Sequence, residues 1–179
     1  MSKNKLTPDQ IKIKNLLKLN ISIPVVLLKG TNRERTVWRL PNGVVSRKNG
    51  PAVIWTHGDH AWYKNGKKHR EDGPAHVYVT NLQRNEWYKN GVLHREEGPA
   101  IKWSNGDEEW FKNGNLHRED GPAYIVYING KKSIKDEDYY INGKYISRVN
   151  FKYKKLVKGD RALKVQKLKN IINYLFKIF

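Results

Sequence analysis

The hydrophobic and polar positions of this chain fall into three different regimes. Over residues 7–19 the apolar residues Ile11, Ile13, Leu16, Leu17 and Leu19 are separated by lysines. That spacing is partly helical and, at Ile11-Lys12-Ile13-Lys14, partly alternating. Thr7 stands at an N-cap position, Pro8 at the first helical position and Gln10 where the return partner of a capping box belongs, so a short N-terminal helix is expected. Pro24 interrupts. The apolar run Val25-Val26-Leu27-Leu28, ending at Gly30, reads as a buried strand or as a capping segment under the first unit of the central region.

From Trp38 to Gly143 the pattern shortens. Runs such as Ala52-Val53-Ile54-Trp55 and Glu86-Trp87-Tyr88-Lys89 are brief, β-branched and aromatic, which is strand character. Asn-Gly at 65–66, 90–91, 113–114 and 142–143 is the pair that best tolerates the positive φ angles of a type I′ hairpin turn. Gly-Pro at 73–74, 98–99 and 121–122 punctuates again, since proline lacks a ladder donor. In the tail, Leu168, Ile171, Ile172, Leu175, Phe176 and Phe179 fall on one helical stripe, with Lys164, Lys167 and Asn170 off it and Asp160 placed as N-cap. A basic amphipathic helix is expected there, interrupted too often by lysine to span a bilayer.

The middle regime is a repeat. WYKNGKKHREDGPA begins at Trp62 and returns as WYKNGVLHREEGPA at Trp87 and WFKNGNLHREDGPA at Trp110. A degenerate copy, WRLPNGVVSRKNGPA, begins at Trp38, and a decayed one, Tyr139-Tyr140-Ile141-Asn142-Gly143, keeps only the aromatic pair and the turn. Successive starts from Trp38 to Trp110 are 24, 25 and 23 residues apart, a length that holds two or three short strands and no helix. The expected fold is mainly β: a meander of about five tandem β-hairpin repeats in a single sheet. The chain divides into a basic helix and capping segment at 1–37, the array at 38–143, and a basic tail with its helix at 144–179.

At WYKNG…HREDGPA the unit resembles the MORN-type hairpin repeats of large DNA viruses and some phages, and more loosely bacterial MORN-like proteins described as antitoxins. The resemblance covers residues 38–143, three copies strongly and two weakly. It implies a non-enzymatic repeat scaffold of viral or phage type.

The net charge of +18 changes this picture only at the ends. Lysine plus arginine against aspartate plus glutamate is 8 and 2 over residues 1–37, 16 and 14 over 38–143, and 11 and 1 over 144–179, or +6, +2 and +10. An anionic partner is therefore a matter for the flanks, with Lys152, Lys154, Lys155, Lys158, Arg161, Lys164 and Lys167 as candidate contacts. Besides capping the array, the tail could touch nucleic-acid phosphates, an anionic membrane surface or an acidic protein. The chain has no cysteine, which removes disulfides and thiolate chemistry. No signal-peptide core is completed before Lys12, Lys14 and Lys18 break it. An intracellular protein, in host cytoplasm or virion and neither secreted nor transmembrane, is the expectation.

Three residue sets invite a chemical reading. His69, His94 and His117 share one slot, each followed by arginine and glutamate. Equivalent residues of a two-strand unit lie about 10 Å apart, too far to converge on one zinc ion. His69-Arg70, His94-Arg95 and His117-Arg118 therefore read as structural rungs tying one unit to the next. The acid pairs Glu71-Asp72, Glu96-Glu97 and Glu119-Asp120 are near-identical copies, whereas catalysis needs one asymmetric site with differently tuned groups. The aromatics, including Trp62, Trp87 and Trp110 as a candidate partner face, and a second ladder of Trp55, Tyr78 and Trp103, are expected mainly to build the core. No catalytic, cofactor or metal site and no small-molecule substrate is expected. The functional expectation is a structural or protein-interaction scaffold held in a larger assembly by its basic ends. The alternatives are nucleic-acid binding through those ends and an antitoxin-like inhibitor.

Overall fold

The computed structural model describes residues 18–80 and 83–152, together with 7, 8, 11, 15 and 170. Eleven antiparallel strands form one long sheet, in the order β1(Ile23–Leu27), β2(Arg35–Arg39), β3(Val53–Trp55), β4(His60–Ala61), β7(His76–Tyr78), β8(Arg84–Glu86), β11(Ile101–Trp103), β12(Glu108–Glu109), β15(Tyr124–Ile128), β16(Lys131–Ile141) and β17(Lys144–Ile146). The other six strands pair off as separate two-stranded ribbons: β5(Tyr63–Lys64) with β6(Lys67–Lys68), β9(Tyr88–Lys89) with β10(Val92–Leu93), and β13(Phe111–Lys112) with β14(Asn115–Leu116). A single sheet was the expectation; instead the chain leaves the long sheet at each motif and makes a ribbon before returning.

The fork lies at the tryptophan. The Trp62, Trp87 and Trp110 amides donate into the long sheet, to the carbonyls of Ala75, Ala100 and Ala123 at 2.8, 2.8 and 2.7 Å. Their carbonyls accept instead from the His69, His94 and His117 amides, which end the ribbons. One tryptophan thus belongs to two ladders. The ribbon tips are the expected type I′ turns, with φ of 51° and 77° at Asn65-Gly66 and 53° and 90° at Asn90-Gly91. The same chemistry closes β15 on β16 at Asn129-Gly130, φ 51° and 72°.

The deepest line of the core is alanine. Ala52, Ala61, Ala75, Ala100 and Ala123 are 0% exposed, flanked by buried Val37, Val53, Ile101 and Ile125. Trp38, Trp62, Trp87 and Trp110 are only half-buried, against the expectation that aromatics would build the core. Ala75, Ala100 and Ala123 are the residues whose carbonyls take the tryptophan amides, while the indoles at the fork stay partly exposed.

The two ends of the sheet differ. The run Val25-Val26-Leu27-Leu28 was expected as a buried strand or a capping segment; its first three residues lie in β1, where Ile23 and Val26 are 47% and 51% exposed and the strand is an edge. Its Ile23, Val25 and Leu27 pair with Arg39, Val37 and Arg35, so by antiparallel alternation Pro24 and Val26 lie on the opposite face. Proline in this strand has no amide to offer, and a strand with one donor fewer is a poorer template for further strand addition. Of segment 7–19, the described residues 8, 11, 15, 18 and 19 have helical backbone, and the Ile11 amide donates to the Thr7 carbonyl at 3.0 Å. At the other end the described residues 148–152 have helical backbone, α1. Its Phe151 is 5% exposed and lies 4.6 Å, ring to ring, from Tyr139, the residue in the tryptophan slot of the decayed copy. Among the described residues no helix is long and apolar enough to cross a membrane.

Candidate functional site

Each copy of the motif places its arginine over its own tryptophan. The guanidinium carbons of Arg47, Arg70, Arg95 and Arg118 lie 3.8, 3.9, 4.0 and 3.7 Å from the ring centroids of Trp38, Trp62, Trp87 and Trp110. Each guanidinium also donates to the proline carbonyl four residues on, at 3.0 Å for Pro51, 3.4 Å for Pro74, 3.1 Å for Pro99 and 3.4 Å for Pro122. Arg70 and Arg118 add a 2.7 Å bond to Asp72 and Asp120, which holds the exposed Asp72 carboxyl below its usual range. The glycine of Gly-Pro-Ala is the floor of this stack: a Cβ on Gly73 or Gly98 would stand 3.0 Å from the arginine Cζ. The spacing R-x-x-G-P is therefore the length needed to bring a guanidinium back over its own turn.

The histidine bridges neighbouring copies. The Asn90, Asn113 and Asn142 amides, at the tips of the next hairpins along the chain, donate to Nδ1 of His69, His94 and His117 respectively, each at 3.1 Å. Because a backbone amide can only donate, Nδ1 is the acceptor and Nε2 carries the proton. That nitrogen faces Glu71 at 3.2 Å, Glu96 at 2.9 Å and Glu119 at 3.8 Å. Each junction has two further bonds: Gly91 to the Lys68 carbonyl at 2.8 Å and Arg70 to the Tyr88 carbonyl at 3.3 Å, and their counterparts elsewhere. In the degenerate first copy Ser46 Oγ takes the imidazole's place, accepting from the Asn65 amide at 3.3 Å.

Between successive stacks the surface opens into three like grooves of about 650, 830 and 400 Å³. One wall is the Arg-to-Gly turn of one copy; the other is the aromatic pair and lysine of the next: Trp62-Tyr63-Lys64, Trp87-Tyr88-Lys89 or Trp110-Phe111-Lys112. Glu71 and Asp72 stand on the rim with side chains 79% and 82% exposed. The candidate partner-face tryptophans do line these grooves, each with one face already taken by arginine. The second aromatic ladder is closed upon itself. His76 stacks on Trp55 at 5.5 Å and on Tyr78 at 3.9 Å, and Arg84 lies 4.4 Å from Tyr78 and 4.5 Å from Trp103.

One cluster escaped the sequence reading altogether. In the slots that hold Leu93, Ile101 and Asp107 in the next copy, the second copy has Lys68, His76 and Arg84, gathered around Glu86. His76 and Glu86 are 6% and 3% exposed. Arg84 Nε donates to Glu86 Oε1 at 2.7 Å and the Tyr88 hydroxyl to Oε2 at 3.1 Å. Lys68 Nζ lies 2.7 Å from His76 Nδ1 and 3.8 Å from Glu86. Burial, then the charge of Lys68, push the His76 imidazole down to about 4 against the pull of Glu86 and Asp59. Burial also pushes the Lys68 amine down and the Tyr88 phenol up. The signal was present as a departure from the repeat, polar where the neighbouring copy is apolar at two of these three slots.

Of the candidate anionic-partner contacts, Lys152 is exposed on α1. Lys154, Lys155, Lys158, Arg161, Lys164 and Lys167, with the expected C-terminal amphipathic helix, lie outside the described residues. Among the described residues no group of three metal-ligating side chains stands together. Comparison with family models, with curated proteins and with solved structures yields no match.

Proposed function

We propose that this chain is a non-catalytic scaffold of tandem MORN-like hairpin repeats, which binds a protein partner along its row of grooves and is anchored in a larger assembly by its basic flanks. The observation that carries this reading is the recurrence among the described residues of one kind of groove, three times along the sheet, with an arginine turn on one wall and the aromatic pair and lysine of the next copy on the other. Aromatic and arginine side chains are enriched where proteins meet, and a regular series of weak contacts gains strength from being linked. The WYKNG…HREDGPA resemblance supports the same reading and its viral or phage setting. An N-terminal helix and a C-terminal amphipathic helix would close the two ends of the array.

Charge reversal on the rim tests it, because these side chains carry little of the fold: Glu71→Lys with Glu96→Lys, beside deletion of residues 153–179, which keeps Phe151 against Tyr139. Assemblies isolated from the native source should lose the partner in the first variant and the anchoring in the second, with the β-sheet signal in circular dichroism retained in both. Full retention of every component in both variants overturns the scaffold reading.

The +10 of residues 144–179 supports a second reading, binding of nucleic acid by the tail. Affinity would then fall steeply with salt as counterions are released. Failure of both a duplex and a single strand to bind at low salt removes it.

A further inference from the structure

The Lys68, His76, Arg84 and Glu86 cluster carries an excess positive charge. Glu86 is one carboxylate: its two oxygens accept from Arg84 and the Tyr88 hydroxyl at 2.7 and 3.1 Å, while Lys68 stands off at 3.8 Å, so one negative charge is shared between two cations. Arg84 and Lys68 are two cations, Arg84 cannot give up its proton, and His76 is a base buried to 6% exposure. The proton most easily released is therefore one from Lys68. The geometry agrees: at 2.7 Å one of the two nitrogens must accept, and Lys68 Nζ donating to the His76 Nδ1 lone pair satisfies both. The side chain keeps 23% of its surface open, so a small molecule can reach the amine. Lys68 and His76 are polar where the neighbouring copy has Leu93 and Ile101, and departures of this kind from a chain's own pattern are expected at functional sites.

We infer that Lys68 is a nucleophilic amine that captures small carbonyl compounds, aldehydes in particular, as an imine. The Nζ lone pair attacks the carbonyl carbon, a C–N bond forms, and the C=O π electrons move to oxygen. One N–H proton passes by way of His76 Nδ1 to that oxygen and gives a carbinolamine. The nitrogen lone pair then forms the C=N bond as the C–O bond breaks, and the second N–H proton passes by the same route to the departing hydroxyl, so that amine and aldehyde give imine and one water. This is the activation expected of a lysine placed beside another cation in a partly desolvated site. Lys67 and Lys64, exposed on the same ribbon, serve as internal references.

The test uses formaldehyde, small enough to reach any exposed amine, with cyanoborohydride to trap the imine as methylated lysine on the full-length protein near neutral pH. Site-resolved mass spectrometry should show Lys68 modified faster than Lys67 or Lys64, because an amine made less basic holds more of its free-base form near neutral pH. Arg84→Gln, which removes the second cation, should bring Lys68 back to the reference rate; His76→Gln should slow it while leaving Lys67 unchanged. Lys68 labelling no faster than Lys67 in the unmodified chain overturns the inference, as does an undiminished advantage in Arg84→Gln with the fold intact by circular dichroism.

Discussion

The Arg95 guanidinium lies 4.0 Å from the Trp87 ring centroid and borders the space that a Cβ on Gly98 would need, 3.0 Å from Cζ. A charge, a ring and an absent side chain are fitted to one another, and the same fit recurs around Arg70 and Arg118 with Gly73 and Gly121. The glycine is thus a packing residue first.

Three glycine substitutions separate its two costs. Gly130 has φ +72° with open space around it, so Gly130→Ala should cost about 1–2 kcal/mol of backbone strain alone. At Gly73 the φ is ordinary but Arg70 Cζ is at 3.0 Å, so Gly73→Ala should cost about 1–3 kcal/mol of overpacking. Gly98 combines φ +110° with the same contact, and Gly98→Ala should be the worst of the three. Urea midpoints give the order; a Gly98→Ala no worse than Gly130→Ala would mean that the arginine stack yields freely.

Lysine should not replace the stacked arginine. An ammonium cannot lie flat on Trp87 and at the same time reach the Pro99 carbonyl, so Arg95→Lys should lose about 1–2 kcal/mol. Stability equal to the parent chain in chemical denaturation would contradict the stack's contribution.

At the rung, the acceptor matters more than the ring. Removing Nδ1 with His94→Phe leaves the Asn113 amide without its 3.1 Å partner, at a cost of about 1–3 kcal/mol. His94→Ser copies the arrangement at Ser46 and should retain more stability than His94→Ala. The three thermal midpoints decide this, and a serine variant no better than alanine would refute it.

His76 sets a pH dependence. Its folded pKa, about 4, lies below the ordinary 6.5, so between these values the unfolded chain binds the proton that the folded chain refuses. Stability from this group is fully present above about 6.5 and is lost as pH falls towards 4, on the order of 2–3 kcal/mol over that range. His76→Gln should flatten that part of a plot of unfolding free energy against pH. An unaltered slope would place the acid sensitivity elsewhere.

The turns were legible in the sequence because Asn-Gly answers a backbone demand that few other pairs meet. Tandem recurrence of the motif at 62, 87 and 110 made the β meander legible too. The branching into ribbons was not, since it depends on one tryptophan backbone serving two ladders, and hydropathy carries no trace of that. Ala75 and Ala100 are too small to be marked as core by size, and Arg70 and Arg95 declare a charge but not the ring beneath it. Lys68 and His76 were hidden in the opposite way: similarity between copies draws the eye to shared residues, and these two matter where the copies differ.

The amides of Gly66, Gly91, Gly114 and Gly143, donating to the carbonyls of Val45, Lys68, Leu93 and Leu116 at 2.8 to 2.9 Å, also govern how the protein ages. Asn-Gly loses ammonia when the glycine nitrogen attacks the asparagine carboxamide and closes a succinimide, which water then opens to aspartate or isoaspartate. Here that nitrogen is committed to the neighbouring ribbon, so the ring can close only while the junction is open. Isoaspartate accumulating at Asn90 would therefore be a clock that counts ribbon undocking.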